Sequence, residues 1–149
     1  MKFLFKRYKQ LLVLLLVLVQ VKAVGQATLQ VPVEEIKKAE GQLLYSLYAS
    51  ADGFPDQPFK AFRKGSVPVT SRAVVITITD LPVGTYALSV IHDVNGNGRL
   101  DMNRLGIPTE SLGFSNNVMG AFGPPKFSKA RFSLQQGKNE MPVRLRMGQ

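Results

Sequence analysis

The sequence predicts an all-β fold, a single Greek-key β-sandwich of six or seven strands, and three observations predict it. Apolar and polar residues alternate over several separate stretches, the period of a half-buried strand. Gly, Pro, Asn and Asp punctuate the chain between those stretches, as turns require. Beyond the N-terminal region no stretch carries the periodicity of a long amphipathic helix.

The N-terminal region is a targeting segment by composition. Lys2, Lys6, Arg7 and Lys9 form a basic start, Leu11 to Val19 is an unbroken apolar run, and Gly25-Gln26-Ala27 supplies small residues for a signal peptidase. The run is short for a membrane span, so residues 1–27 read as a cleaved secretory signal and not as a transmembrane anchor. The domain is then 28–149, and its expected location is periplasmic or extracellular. Cleavage leaves 122 residues with 14 basic against ten acidic ones, a formal charge of +4 in place of +9. Spread evenly, +4 gives solubility and mild attraction to anionic surfaces, well short of a nucleic-acid footprint.

The chain has no cysteine and one histidine. Disulfides, thiolate zinc sites, a cysteine nucleophile, a lipidated cysteine and multi-histidine metal centres are excluded. The fold must be held by a hydrophobic core, and 122 residues can bury one.

Taken in order, Leu29, Val31 and Val33 mark a first strand. Ile36 to Gly41 turns out of it, and Gln42 to Ser50 forms a second strand with Leu43, Tyr45, Leu47 and Ala49 on one face. From Ala51 to Arg72 the pattern breaks at Gly53, Pro55, Pro58, Gly65 and Pro68, which predicts a long connection with one helical turn around Phe59 and Phe62, ended by Gly65. Ala73 to Thr79 alternates again, with Val74, Ile76 and Ile78 inward. Asp80 to Gly84 is a turn by composition, and Thr85 to His92 is a strand with Tyr86, Leu88, Val90 and His92 on one face. The arrangement Leu81, Gly84, Tyr86 resembles a tyrosine corner, in which a tyrosine hydroxyl ties a strand's start to the preceding turn. Val118 to Lys129 is too rich in glycine and proline for a regular element. Two closing strands, Ala130–Leu134 and Met141–Met147, are expected to pair through a hairpin at Gln135–Asn139, with Met141, Val143, Leu145 and Met147 inward.

The most unusual stretch is His92 to Asn117, HDVNGNGRLDMNRLGIPTESLGFSNN. Asp93, Asn95, Asn97, Gly98 and Asp101 fall at positions 1, 3, 5, 6 and 9 of the twelve-residue calcium loop, where side chains at alternate positions supply oxygens to one centre and glycine permits the sharp bend. The carbonyl of Arg99 occupies position 7, and Leu100 sits where such loops tuck an apolar side chain. Position 12, which wants a bidentate glutamate, is Arg104. With two acids the expected affinity is about 0.1 to 1 mM, and Glu110 completes the shell if the chain folds back. The competing reading is a loop that uses Asn-Gly pairs for its left-handed turns, with Asp93 and Asp101 making local backbone hydrogen bonds.

His92 ends its strand on the inward face. A catalytic role needs a nucleophile and an orienting acid, for which Ser111 or Ser115 with Asp93 are the nominees, although Asp93 points to the opposite face of the strand. A hydrogen-bonded structural histidine is the competing reading. Six of the seven phenylalanines after the leader, Phe54, Phe59, Phe62, Phe114, Phe122 and Phe127, lie in the two long connections and only Phe132 in a strand. Such rings suit sugars or apolar ligands, or else they pin the loops to the sandwich. His92, Phe54, Phe114 and Asn116 are the candidate ligand contacts.

The stretches GQLLYSLYASADGFP, DLPVGTYALSVIHDVNGNGRLDMNRLGIPTESLGFSNN and GPPKFSKARFSL resemble, in order and spacing, small secreted bacterial proteins grouped as domain-of-unknown-function family 2141. The resemblance covers about Leu29 to Met147. It implies a prealbumin-like or immunoglobulin-like sandwich exported to the periplasm or cell surface, with no established activity. A further likeness, in the cadence Asp93, Asn95, Gly98, Asp101, is to the calcium-bearing B repeats of bacterial surface adhesins, which follow it with an acid where this chain has Asn103 and Arg104. The leading expectation is a non-enzymatic exported binding or interaction module for an unidentified protein, glycan or envelope component. The alternatives are a small envelope hydrolase using His92, Asp93 and a loop serine, or a purely structural envelope protein.

Overall fold

The computed structural model describes residues 25–147; the expected leader lies outside them apart from Gly25 to Ala27. The structure is mostly β, 47% strand against 8% helix, arranged in two sheets. Among the described residues ten strands follow one another: β1 (Gln26–Glu34), β2 (Gln42–Tyr48), β3 (Arg63–Pro68), β4 (Val74–Pro82), β5 (Gly84–Asp93), β6 (Ser111–Phe114), β7 (Phe132–Leu134), β8 (Gly137–Glu140), β9 (Val143–Arg144) and β10 (Arg146–Met147). The first sheet has the order β4-β1-β8, with β9 continuing beside β1; the second runs β10-β6-β5-β2-β3, with β7 beside the start of β5. Among the described residues no helix is long and apolar enough to cross a membrane.

The alternating stretches produce the core. Leu29, Val31, Val33, Ile76 and Ile78 from the first sheet meet Leu43, Leu47, Tyr86, Leu88 and Val90 from the second, all nearly excluded from solvent. Each such side chain contributes about 1.5–3 kcal/mol by leaving water, so with no cysteine present this seam is what holds the sheets together. Ala27, the residue at which the leader was expected to end, belongs to β1 and is 1% exposed.

The three strands missing from the sequence reading each contain residues that sequence patterns count as breakers. β3 is an edge strand, and Arg63, Lys64 and Pro68 are the residues that protect an open edge. Gly65 does not end a helical turn, which is instead a 3-10 turn at Pro58–Lys60; it pairs with Tyr45, whose ring lies where a Gly65 Cβ would stand. β6 carries Gly113 because β9 passes close over it: a Cβ there would meet the Arg144 carbonyl oxygen at 2.5 Å. β8 occupies what reads as turn sequence, since β7 and β8 do not form a hairpin. β7 pairs with β5 in the second sheet and β8 runs parallel to β1 in the first, so Gln135 and Gln136 cross between sheets, with Asn139 accepting from the Gln135 N–H and donating to its carbonyl.

The last segment changes sheets a second time. Val143 and Leu145 are buried as expected, but Met147 is 42% exposed, because the strand leaves β1 at Arg144 and joins β6 at Arg146. Likewise Ala130 closes a one-turn helix, α1 (Phe127–Ala130), and does not begin a strand. The turn expected at Asp80–Gly84 is mostly strand. β4 reaches Pro82 by a bulge opposite β1, where Asp80 takes a φ of 57°.

At that corner the Tyr86 hydroxyl donates to the Pro82 carbonyl at 2.9 Å, the tie that the Leu81, Gly84, Tyr86 spacing predicts. Tyr86→Phe keeps the ring and deletes the bond; it is expected to lower unfolding free energy by about 1 kcal/mol in a urea titration. An unchanged midpoint would show that the tie contributes nothing.

Candidate functional site

β5 ends in two residues facing opposite ways. His92 follows Tyr86, Leu88 and Val90 on the core side, is 2% exposed, and places Nε2 2.9 Å from the Glu40 carbonyl oxygen. Asp93 faces outward and is nonetheless fully covered, because the loop that follows wraps its carboxylate. Oδ1 accepts from the Asn97 N–H at 3.0 Å, and Oδ2 accepts from the Gly98 N–H at 2.7 Å and from Gln42 Nε2 at 2.8 Å.

The loop winds through a succession of side-chain-closed turns. Asn95 Oδ1 accepts the Asn97 N–H at 3.1 Å and Asn97 Oδ1 accepts the Arg99 N–H at 3.0 Å, each oxygen reaching two residues on. Gly96 and Gly98 have φ of 72° and 80° in open space, so glycine is needed for conformation and not for room. This winding brings three side chains to one place: Asn95 Nδ2 donates to Asp101 at 2.7 Å, and Asn97 Nδ2 donates to both Asp101 oxygens at 2.9 and 3.0 Å. Arg99 Nε stands 3.6 Å from the same carboxylate.

Glu110 does fold back. Its two oxygens accept the Val94 N–H at 2.9 Å and the Asp101 N–H at 3.1 Å, so one nearly buried carboxylate braces both ends of the loop. The remaining excursion is tied in by Thr109, whose N–H and hydroxyl both donate to the Asp101 carbonyl, and by Asn103, whose Oδ1 accepts the Leu105 and Ile107 N–H groups. Arg104 is exposed.

Electrostatics follow from these donors. Burial alone would raise the Asp93 carboxyl, but the Gln42 amide and the N–H groups of Gly98, Asn97 and Gly96 more than offset it and hold it below its ordinary value. Asp101 is held low by the Asn97 and Asn95 amides, helped by Arg99.

For a metal the arrangement offers hard oxygen donors of the calcium type, Asp101 and the two carboxamides, with Asp93 behind them. The amides present nitrogen to Asp101, and this orientation is held by their oxygens, which accept the Asn97 and Arg99 N–H groups; turning them over costs those bonds. Among the described residues no three His, Asp or Glu side chains converge.

The other nominees are distributed elsewhere. Ser115 is fully buried, accepting from the Leu88 N–H at 3.0 Å and donating to the Ala130 carbonyl at 2.6 Å; the Ser111 hydroxyl lies 3.1 Å from Met147 Sδ. Among the described residues no hydrogen bond joins His92 to Asp93 or to a serine. Phe54 and Phe114 lie in an edge-on cluster with Tyr48 and Phe127, ring centroids 5.3–6.1 Å apart, on the outer face of the second sheet. Asn116, at φ 59°, donates to the carbonyls of Lys129 and Arg131 and pins α1 to the end of β6.

Three residues that position the loop gave no local pattern in the sequence. Glu40, Gly41 and Gln42 form a seat under residues 92–94: the Glu40 carbonyl faces His92, Gln42 donates to Asp93, and Gly41, at φ 73°, lies against the backbone of Asp93 and Val94. They sit some fifty residues away in sequence, and only the antiparallel register of β2 on β5 brings them together.

A family model described as "Uncharacterized protein conserved in bacteria (DUF2141)" matches residues 31–142, a span that includes the seat, the whole loop and the aromatic cluster. The chain belongs to this family. In this DUF2141 protein the match begins within β1 and ends between β8 and β9. No curated protein and no solved structure matches the chain.

Proposed function

We propose that this chain is an exported, non-enzymatic binding or interaction module on a Greek-key, immunoglobulin- or prealbumin-like sandwich, and that the loop 93–101 is its ion-responsive element, taking calcium weakly. The observation that carries the ion reading is the gathering of Asn95 and Asn97 on the Asp101 carboxylate, each amide 2.7–3.0 Å from it, on a loop wound by side-chain-closed turns. Export is supported by the basic start, apolar run and small residues of positions 1–27. The Tyr86 corner and the crossings between sheets support the topology.

A calcium ion competes with the two amide donors for Asp101, and both carboxamides must present Oδ1 for the ion to enter. That rearrangement keeps affinity in the range of about 0.1 to 1 mM, where extracellular modules work. A thermal melt at calcium well above that range is expected to raise the midpoint by about 5 °C, with chelator reversing the shift and Asp101→Ala removing it. No shift in the unsubstituted chain overturns the calcium reading.

A further inference from the structure

The positive charge is not evenly spread, contrary to the expectation from composition. Residues 49–64 and 118–131 carry Lys60, Arg63, Lys64, Lys126, Lys129 and Arg131 against only Asp52 and Asp56. Lys60 is paired to Asp52 at 2.7 Å. The other basic and acidic residues of the described chain balance at eight of each, so the whole excess of +4 lies in these two segments.

The same segments hold exposed large apolar side chains: Phe122 at 106%, Phe59 at 74%, Phe62 at 46% and Met119 at 40%. The two segments are neighbours in space. Phe54 of the first packs on Phe127 of the second, centroids 5.9 Å apart, and both segments flank the first half of β5, through Tyr48 opposite Ala87 and Phe132 opposite Tyr86. The tip bearing Phe122 is folded tightly, with no room for a Cβ on Gly120 beneath the Gly123 carbonyl. Lys126 and Lys129 line the shallow nook at its base. An aromatic ring is thus held clear of the protein on a braced turn, with cations behind it.

We propose that this end of the sandwich docks on an anionic lipid surface, Phe122 and Phe59 entering the headgroup layer while the surrounding Lys and Arg side chains meet lipid phosphates. Charge complementarity selects the occupant, since unpaired cations at the base of an apolar tip match an interface that is apolar within and anionic at its rim. A single-stranded nucleic acid would want aromatic faces laid along a basic groove for stacking; Phe122 instead stands on a convex tip. The inference goes beyond the calcium reading and does not rest on it, because loop 93–101 leaves from the opposite end of β5.

Among the described residues the core runs from Ala27 to Leu145, so the chain from Gly25 onward carries that core and suits the test without the apolar leader. It is sedimented with vesicles of phosphatidylcholine alone and of phosphatidylcholine mixed with phosphatidylglycerol. Expected is binding to the mixed vesicles that weakens with added salt. Phe122→Ser should weaken it on the order of tenfold, and so should Lys126→Gln with Lys129→Gln. Phe122→Ser should keep the unsubstituted melting midpoint, because the ring packs on nothing, and Asp101→Ala should retain vesicle binding. Equal retention on both vesicle types overturns the proposal, as does mixed-vesicle binding indifferent to Phe122→Ser. Capture of a single-stranded oligonucleotide in place of vesicles overturns it in favour of nucleic acid.

Discussion

Asp93→Ala is expected to lower unfolding free energy by about 3–5 kcal/mol, measured by urea denaturation, because it strips three hydrogen bonds from a covered carboxylate, leaves the donors of Gln42 and Gly98 facing no acceptor and leaves the Asn97 N–H only its bond to Asn95 Oδ1. Asp93→Asn keeps the shape but turns one amide nitrogen toward those donors, so it should recover only part of the loss. The pH dependence has a definite sign. A carboxyl held below its ordinary value releases its proton more readily folded than unfolded. Its contribution is therefore complete above the unfolded value, which is 3.8, and is lost as pH falls through the lower folded one. Asp101 acts in the same direction. The melting midpoint should hold from neutral pH to about 4 and fall below it, with a shallower acid limb in Asp93→Asn. An acid limb unchanged by that substitution would place the sensitivity elsewhere.

The second large effect is at the seat. Gly41→Ala is expected to destabilise by about 2–4 kcal/mol, part from forcing a side chain to φ 73° and the larger part from driving a Cβ into the backbone of Asp93 and Val94. Gly96→Ala provides the control. Its φ is nearly the same, 72°, but nothing lies within 4 Å of the added carbon, so only the conformational cost of about 1 kcal/mol remains. The gap between the two variants measures the contact alone, and equal losses would refute it. Hydrogen exchange should show the Asn97 and Gly98 amides losing protection in Gly41→Ala, since their acceptor moves with the seat.

Much of this was legible because it is local. Alternation at Leu29–Val33, Gln42–Tyr48, Val74–Ile78 and Tyr86–His92 is a property of consecutive residues, and so are the Tyr86 corner and the left-handed turns at Gly96 and Gly98. The rest depends on what arrives from elsewhere. Gly65 and Gly113 look like breaks until Tyr45 and Arg144 are seen to occupy the missing side chain's place. The charge of Glu110 suggests a ligand, yet its position between two backbone N–H groups requires the fold-back of residues 102–109. The sheet changes at Gln135–Gln136 and Leu145 leave no mark on periodicity, since a strand alternates the same way whichever neighbour it joins.

That last feature orders the molecule in time. β1 is the middle strand of its sheet, and its partners on one side, β8 and β9, lie about 110 residues further along the chain. During synthesis β1 waits with an edge bare until β8 and β9 have been made. Such distant pairing puts folding in the slow class of about milliseconds to seconds. Among the described residues, shortening the chain before Val143 would remove the partners of Val33 and Glu34 on that edge, so completion of this sheet waits on residues made about 110 positions later.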